Sequence, residues 1–289
     1  MSMNLILQAP PGVIVSAATL AVITAPCGAA DAASARSADG AEVWRLAVAP
    51  PAPAVRREVQ ARAFAAGIDA NFMPAGRHLA DFKLLVMDMD STLITIECID
   101  EIADMQGLKP QVAAITEAAM RGELVFRDSL LQRVALLDGL EATALQRVVD
   151  ERLQLSPGAE TMLAAVRAAG IRTLLVSGGF TFFTERMQAR LQLDYTRANQ
   201  LELADGRLTG RVLGEIIDAA AKRRTVESTC TLLGIKPAQA IVMGDGANDL
   251  EMMAIAGLSV AYRAKPVVQS KADVVLNFAG LDGILILLD

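Results

Sequence analysis

Three short, mostly apolar runs each end in a cluster of small polar residues, and this repeated pattern constrains the fold more than any other feature. Leu84 to Asp88 runs into Met89-Asp90-Ser91-Thr92, Arg172 to Ser177 into Gly178-Gly179, and Ala240 to Met243 into Gly244-Asp245-Gly246. Runs this short and this apolar, bounded by turn residues, read as strands buried on both faces. Helical periodicity fills the intervals: Pro157 to Gly170, Phe182 to Leu191, Asp218 to Leu233 and Asp249 to Ala256. Strands alternating with helices predict an α/β fold, a parallel sheet wrapped on both faces. Leu201 to Leu203 and Arg207 to Gly210 flank an Asp205-Gly206 hairpin turn, and Leu258 to Ala261 and Val274 to Leu276 read as late strands. Cys98 to Leu155 reads as helical throughout and is too long for a single crossover. It predicts a separate helical-bundle cap, inserted after the first core strand and packed over the carboxyl edge of the sheet, where ligands bind in such folds.

The chain before about residue 75 has a different character. Asn4 to Gln8, Glu42 to Val48 and Asp69 to Met73 read as strands, and Val55 to Ala66 as a helix, with an Ala-rich stretch and the Pro-rich Ala49 to Pro53 between them. This is a small α+β pattern without a clustered polar constellation, expected to be dispensable for chemistry though relevant to solubility or dimerisation. The predicted organisation is therefore an N-terminal segment at 1–75 and a main domain at 76–289, with the cap at about 95–155. Val13 to Thr24 is apolar, but no Lys or Arg precedes it and it is too short to span a bilayer, so neither export nor a membrane location is expected.

Charge and rare residues remove whole classes of function. The 289 residues carry a formal charge of −6 and no basic run, which argues against a nucleic-acid partner. Cys27, Cys98 and Cys230 are far apart, which fits reduced thiols in the cytoplasm rather than disulfides or a zinc site. His78 is the single histidine and sits in a connector, so a histidine-based triad or metal site would have to be built around a residue that reads as solvated.

The polar clusters themselves suggest phosphoryl chemistry. Two carboxylates two residues apart, Asp88 and Asp90, can divide the tasks of attack and proton transfer, and crowding them is costly unless a hard cation such as magnesium lies between. The Ser177 hydroxyl and the N–H groups of Gly178-Gly179 can cradle phosphate oxygens. Lys222 follows three alanines on a helix and can neutralise charge. Gly244-Asp245-Gly246-Ala247-Asn248-Asp249 can turn tightly and bring Asp245 to a metal. Taken singly, each has a plainer reading as a solvated turn, a loop, a surface lysine or an N-capped helix start. Their joint occurrence, in order and each at a strand or helix end, argues against coincidence.

Together the four clusters resemble the four motifs of the haloacid-dehalogenase superfamily, over roughly residue 80 to the end. Asp-Met-Asp replaces the usual Asp-Phe-Asp at an apolar position. Glu97, Met120-Arg121-Gly122, Phe126 and Ser129 to Asp138 are similar to cap segments of the branch that acts on O-phospho-L-serine. The resemblance implies Asp88 as nucleophile and Asp90 as general acid and base. It implies Mg2+ held by Asp88, the Asp90 backbone carbonyl and Asp245. Ser177, Gly178, Lys222 and Asn248 would bind the phosphate side, and Asp249 would orient the metal side and Lys222. Glu97 would meet a substrate ammonium and Arg133 a carboxylate, with Phe126 and Met120 in support. The N-terminal segment resembles at best a degenerate amino-acid-binding, ACT-like extension, and a homodimer is compatible with it. Other small phosphomonoesters, phosphoryl transfer to homoserine, and a non-catalytic amino-acid sensor are the competing readings.

Overall fold

The structure is a computed structural model that describes residues 2–28, 40–121 and 123–288, with the backbone alone for 33–36 and for Met120. Its centre is a seven-stranded sheet in the order β11-β10-β9-β5-β6-β7-β8. The strands are β5 (Leu84–Met87), β6 (Arg172–Phe180), β7 (Tyr195–Ala204), β8 (Arg207–Leu213), β9 (Ala240–Gly244), β10 (Leu258–Tyr262) and β11 (Val274–Leu276). All neighbours pair in parallel except the β7–β8 hairpin. β5 and β9 are buried along their whole length, as their unbroken apolar runs require. The sheet separates two apolar clusters, one around Leu85, Met87, Ile241 and Met243, the other around Leu84, Val86, Val242 and Val226. Side chains alternate across a strand, so successive residues of β5 feed opposite faces.

The predicted helical-bundle cap after β5 consists of four helices: Cys98–Met105, Lys109–Met120, Phe126–Ala135 and Thr143–Glu151. Two of the breaks carry Gly107 and Gly139 at φ of 69° and 77°, a left-handed backbone that stops a helix. The chain leaves and rejoins the core side by side, through the Ile94–Leu155 bridge and the bonds Thr95 N–H to Gln154 and Ser156 N–H to Leu93. The β7–β8 hairpin props the far end: Gly139 and Leu140 exchange backbone bonds with Leu208. The helix expected over Asp249 to Ala256 is a 3-10 turn, Ala247–Asp249, followed by Leu250–Met253.

The N-terminal strands are β1 (Met3–Ala9), β2 (Ala33–Arg36), β3 (Glu42–Val48) and β4 (Asp69–Pro74), in an antiparallel sheet of order β2-β3-β1-β4. With the helices Ala17–Thr24 and Pro53–Ala65 this makes a β-α-β-β-α-β unit, of which the Ala-rich stretch gave no helix or strand signal. The reading that this segment lacks a polar constellation also needs correction. Asp69, Asn71 and Gln8 are buried and bind the main sheet's end. Asn71 completes β11 like a strand, accepting from the Val275 N–H at 2.8 Å and donating to its carbonyl at 3.0 Å. Asp69 accepts from the N–H groups of Asn277, Phe278 and Ala279, and Gln8 donates to the Gly283 carbonyl. Ile6, Val43 and Met73 join the large apolar cluster of the main sheet. Removing the Asn71 side chain would leave both Val275 backbone groups buried and unpaired. Asn71→Ala is therefore expected to destabilise the full chain by about 2–4 kcal/mol in urea unfolding, at about 1–3 kcal/mol per orphaned group; a change below about 0.5 kcal/mol would refute this account of the seam.

Candidate active site

The ends of β5, β6 and β9 meet where the cap helices cover the sheet. β5 stops at Asp88, whose backbone is still extended, and the chain then makes a wide turn over Met89–Leu93. Ser91 takes a φ of 55° in that turn, a strained value for a residue with a side chain. Its hydroxyl donates to Glu97 Oε1 at 2.6 Å, tying the cap's first residue to the turn after β5.

Asp88 is 5% exposed. Its Oδ1 accepts from the Met89 N–H at 2.7 Å and its Oδ2 lies 2.8 Å from Lys222 Nζ. Lys222 is fully buried and also meets Asp249 Oδ1 at 2.8 Å. Burial opposes its charge, but Asp249 and Asp88 outweigh burial and hold the ammonium above the usual lysine range. Asp88 itself is pushed well up by burial and by the negative charge of Asp249, with Lys222 pulling the other way. Asp249 uses its second oxygen to accept from the N–H groups of Asp245 and Gly246 at 3.1 and 3.0 Å, which shapes the loop after β9.

Asp90 faces the same space. Its Oδ1 accepts from the Cys98 N–H at 3.4 Å, and burial, then the nearby Glu97 charge, raise its carboxyl to about 7. A group that titrates near neutrality can both give and take a proton. Asp245 accepts from Thr92 at 3.2 Å and is raised to about 7 by burial and then by Asp249.

Carboxylate oxygens of Asp88, Asp245 and Asp249 lie within 4.8 Å of one another, with one ammonium among them. That surplus of buried negative charge and the all-oxygen donors fit a hard divalent cation. Both oxygens of Asp249 and both of Asp88 already meet a donor, whereas Thr92 engages only Oδ1 of Asp245.

A cavity of about 750 Å³ opens onto this cluster. Of the residues singled out in the sequence, Asp88, Asp90, Glu97, Phe126, Arg133, Ser177, Gly178, Asp245 and Asn248 line it. Lys222 and Asp249 stand behind the wall, fully buried. The side chain of Met120 and all of Gly122 lie outside the described residues. β6 runs beyond its expected end through both glycines, with a register shift between Val176 and Phe180. The Ser177 hydroxyl accepts from the Gly179 N–H at 2.8 Å.

Two supports escaped the sequence reading. Asn199 is fully buried and braces the glycine pair of β6, donating to the Gly178 carbonyl at 2.8 Å while accepting from the Ile217 N–H. Thr92 steadies Asp245. An asparagine inside a strand was a usable signal, because strands disfavour it unless it is bonded.

Geometry and fold together define a hydrolase site. The sequence model of the haloacid dehalogenase-like hydrolases matches residues 85–254, and the chain belongs to that family. A phosphoserine phosphatase from Polaromonas sp. is 55% identical over 224 residues, which are 76% of this chain and 95% of that protein. Among solved structures, a HAD family hydrolase from Salmonella enterica serovar Typhi superposes with a TM-score of 0.89 at 33% identity, over 99% of this chain and 98% of that one. A probable phosphoserine phosphatase from Vibrio cholerae has a TM-score of 0.79 at 35% identity, over 99% of this chain and 86% of that one.

The glycines of β6 offer a test of the geometry. A Cβ on Gly179 would lie 2.8 Å from Asp90 Oδ2 and 3.1 Å from the Ser177 hydroxyl. Gly179→Ala is expected to fold normally but to lower kcat about 10²-fold, the usual penalty for displacing a reacting group by around 1 Å. Unchanged turnover in a phosphate-release assay would show that Asp90 does not act from this position.

Proposed function

We propose that this chain hydrolyses O-phospho-L-serine to L-serine and phosphate, the last step of serine biosynthesis. One observation carries the reading: the cavity that holds Asp88 and Asp90 also holds Glu97 and Arg133, a carboxylate and a guanidinium suited to the substrate's ammonium and carboxylate. Relatives that bear the name phosphoserine phosphatase support it.

In this reading Asp88 attacks phosphorus in line, and the bond from phosphorus to the serine oxygen breaks to give an aspartyl phosphate. Asp90 gives its proton to the departing oxygen. It then takes a proton from the water that cleaves the aspartyl phosphate, and Asp88 is restored. Lys222, Ser177 and the Gly178 N–H stabilise the phosphoryl oxygens, with Asn248 beside them and Asp249 holding Lys222 in place. Asp88, the Asp90 backbone carbonyl and Asp245 would hold magnesium, which when bound supplies charge neutralisation at the phosphoryl group. Phe126 closes over the phosphate loop, its ring 3.0 Å from where a Gly178 Cβ would stand.

The same reading gives the protein a small-molecule substrate and a cytoplasmic setting. No described helix is long and apolar enough to cross a membrane, and Cys27, Cys98 and Cys230 are free thiols. The charge of −6 speaks against nucleic acid. A homodimer through the N-terminal unit is part of the proposal, supported by the exposed Ile14 and Val22 on it.

Asp88→Asn is expected to abolish phosphate release with magnesium present, because an amide cannot replace the nucleophile; steady turnover by a clean preparation would remove Asp88 from its role. Substrate choice tests the rest. Arg133→Ala is expected to cut kcat/KM for phosphoserine at least about 30-fold, the lower end of the 2–5 kcal/mol lost with a buried charged partner, and to spare phosphoethanolamine. Equal slowing of both substrates would leave the phosphoserine assignment without its chemical basis.

A further inference from the structure

Asp100 is a half-buried acid that the mechanism does not use. It stands in the first turn of the cap helix Cys98–Met105, three residues after its N-cap Glu97. An acid at this position commonly reaches back to the N-cap N–H. Among the described residues Asp100 makes no such bond, and its Oδ1 is sealed from solvent without a hydrogen-bond partner. Leaving a carboxylate oxygen unpaired is unfavourable, so its charge must be offset from elsewhere.

The offset comes across the cavity. Asp100 and Arg133 line the same space. Burial raises the Asp100 carboxyl and the Arg133 charge opposes that rise, while burial lowers the Arg133 guanidinium against the pull of Asp100 first, then of Glu97 and Asp90. Yet among the described residues Arg133 forms no ion pair within 4.0 Å; its side chain donates only to the Ser129 carbonyl, at 3.3 Å. The guanidinium is thus drawn toward Asp100 without being consumed by it. Glu97 is the next carboxylate in line to attract it. A direct pair between Glu97 and Arg133 would occupy both groups that recognise the substrate.

We propose that Asp100 is a positioning residue for Arg133: it keeps the guanidinium apart from Glu97 and open to the carboxylate of the incoming substrate. The inference rests on the phosphoserine reading. It opposes a simpler expectation, that a negative charge beside Arg133 merely repels the substrate's carboxylate.

Kinetics of Asp100→Asn, Arg133→Ala and the double variant, on phosphoserine and on 4-nitrophenyl phosphate, separate these views. Asp100→Asn should raise KM for phosphoserine about tenfold with kcat within about twofold, and leave 4-nitrophenyl phosphate turnover within about twofold. In the Arg133→Ala background the same change should have no further effect on phosphoserine, because its target is gone. Asp100→Glu, which keeps the charge, should recover part of the loss. A KM that is unchanged or lower, equal slowing of both substrates, or an undiminished effect in the double variant would each overturn the proposal. If Arg133→Ala alone leaves phosphoserine turnover intact, the substrate reading falls and takes this inference with it. If Arg133→Ala is selective and Asp100→Asn is not, only the inference falls.

Discussion

Lys222, sealed between Asp88 and Asp249, is the interaction on which the rest of this structure depends. An ammonium and two carboxylates out of water are tolerable only with good geometry and every remaining valence filled. The fold meets that demand from three directions. β5 delivers Asp88, the helix Ala219–Leu233 delivers Lys222, and the turn after β9 delivers Asp249. Asp218 caps the helix through the Ala221 N–H, which fixes the turn carrying Lys222. Gly244 has to be glycine, since a Cβ there would lie 2.4 to 2.6 Å from the Asp249 carboxylate group. The cluster is both the centre of the fold and the floor of the reaction site.

That floor carries more negative than positive charge, and burial first and neighbouring carboxylates second raise the carboxyls of Asp88, Asp90 and Asp245. A divalent cation would offset this imbalance and so let an anionic phosphate group approach, with the backbone donors of β6 available to the phosphate oxygens. The cap holds Glu97, Phe126 and Arg133 over the floor, and the Ser91–Glu97 bond ties it to the turn after β5. The cap meets the core at two places, the paired segments at Ile94 and Leu155 and the β7–β8 hairpin at Gly139 and Leu140.

The N-terminal unit has a structural task that its sequence does not advertise. β11 is the edge of the main sheet, and an open edge of backbone donors and acceptors is a liability. Asn71 and Asp69 close it with side chains in place of another strand. The bonds continue inward. Asn277 accepts from Gln269, Gln269 also donates to the Ala264 carbonyl, and the next residue, Lys265, donates its N–H to the Asp245 carbonyl. A cut near residue 75 would therefore strip the outer support of a path that ends at the candidate metal loop.

The sequence alone determined the parallel sheet, the strand ends that carry Asp88, Ser177 and Asp245, the inserted cap and the position of Lys222. These rest on short-range rules: buried strands are continuous apolar runs, and glycines mark the turns where backbone must approach a ligand. It misread what depends on partners distant in the chain. Thr92 beside Asp245 and the Asp100 oxygen left without a hydrogen bond among the described residues show no local signature, while Asn199 and Asn71, as asparagines in strands, signal that each needs a partner but not which one. Each of these polar groups takes its meaning from a neighbour tens to hundreds of residues away. Hydrophobic period says which face of an element is buried, but not which polar atom will meet which. Only the tertiary structure decided that, because a buried polar group must be paired wherever the packing happens to bring a partner.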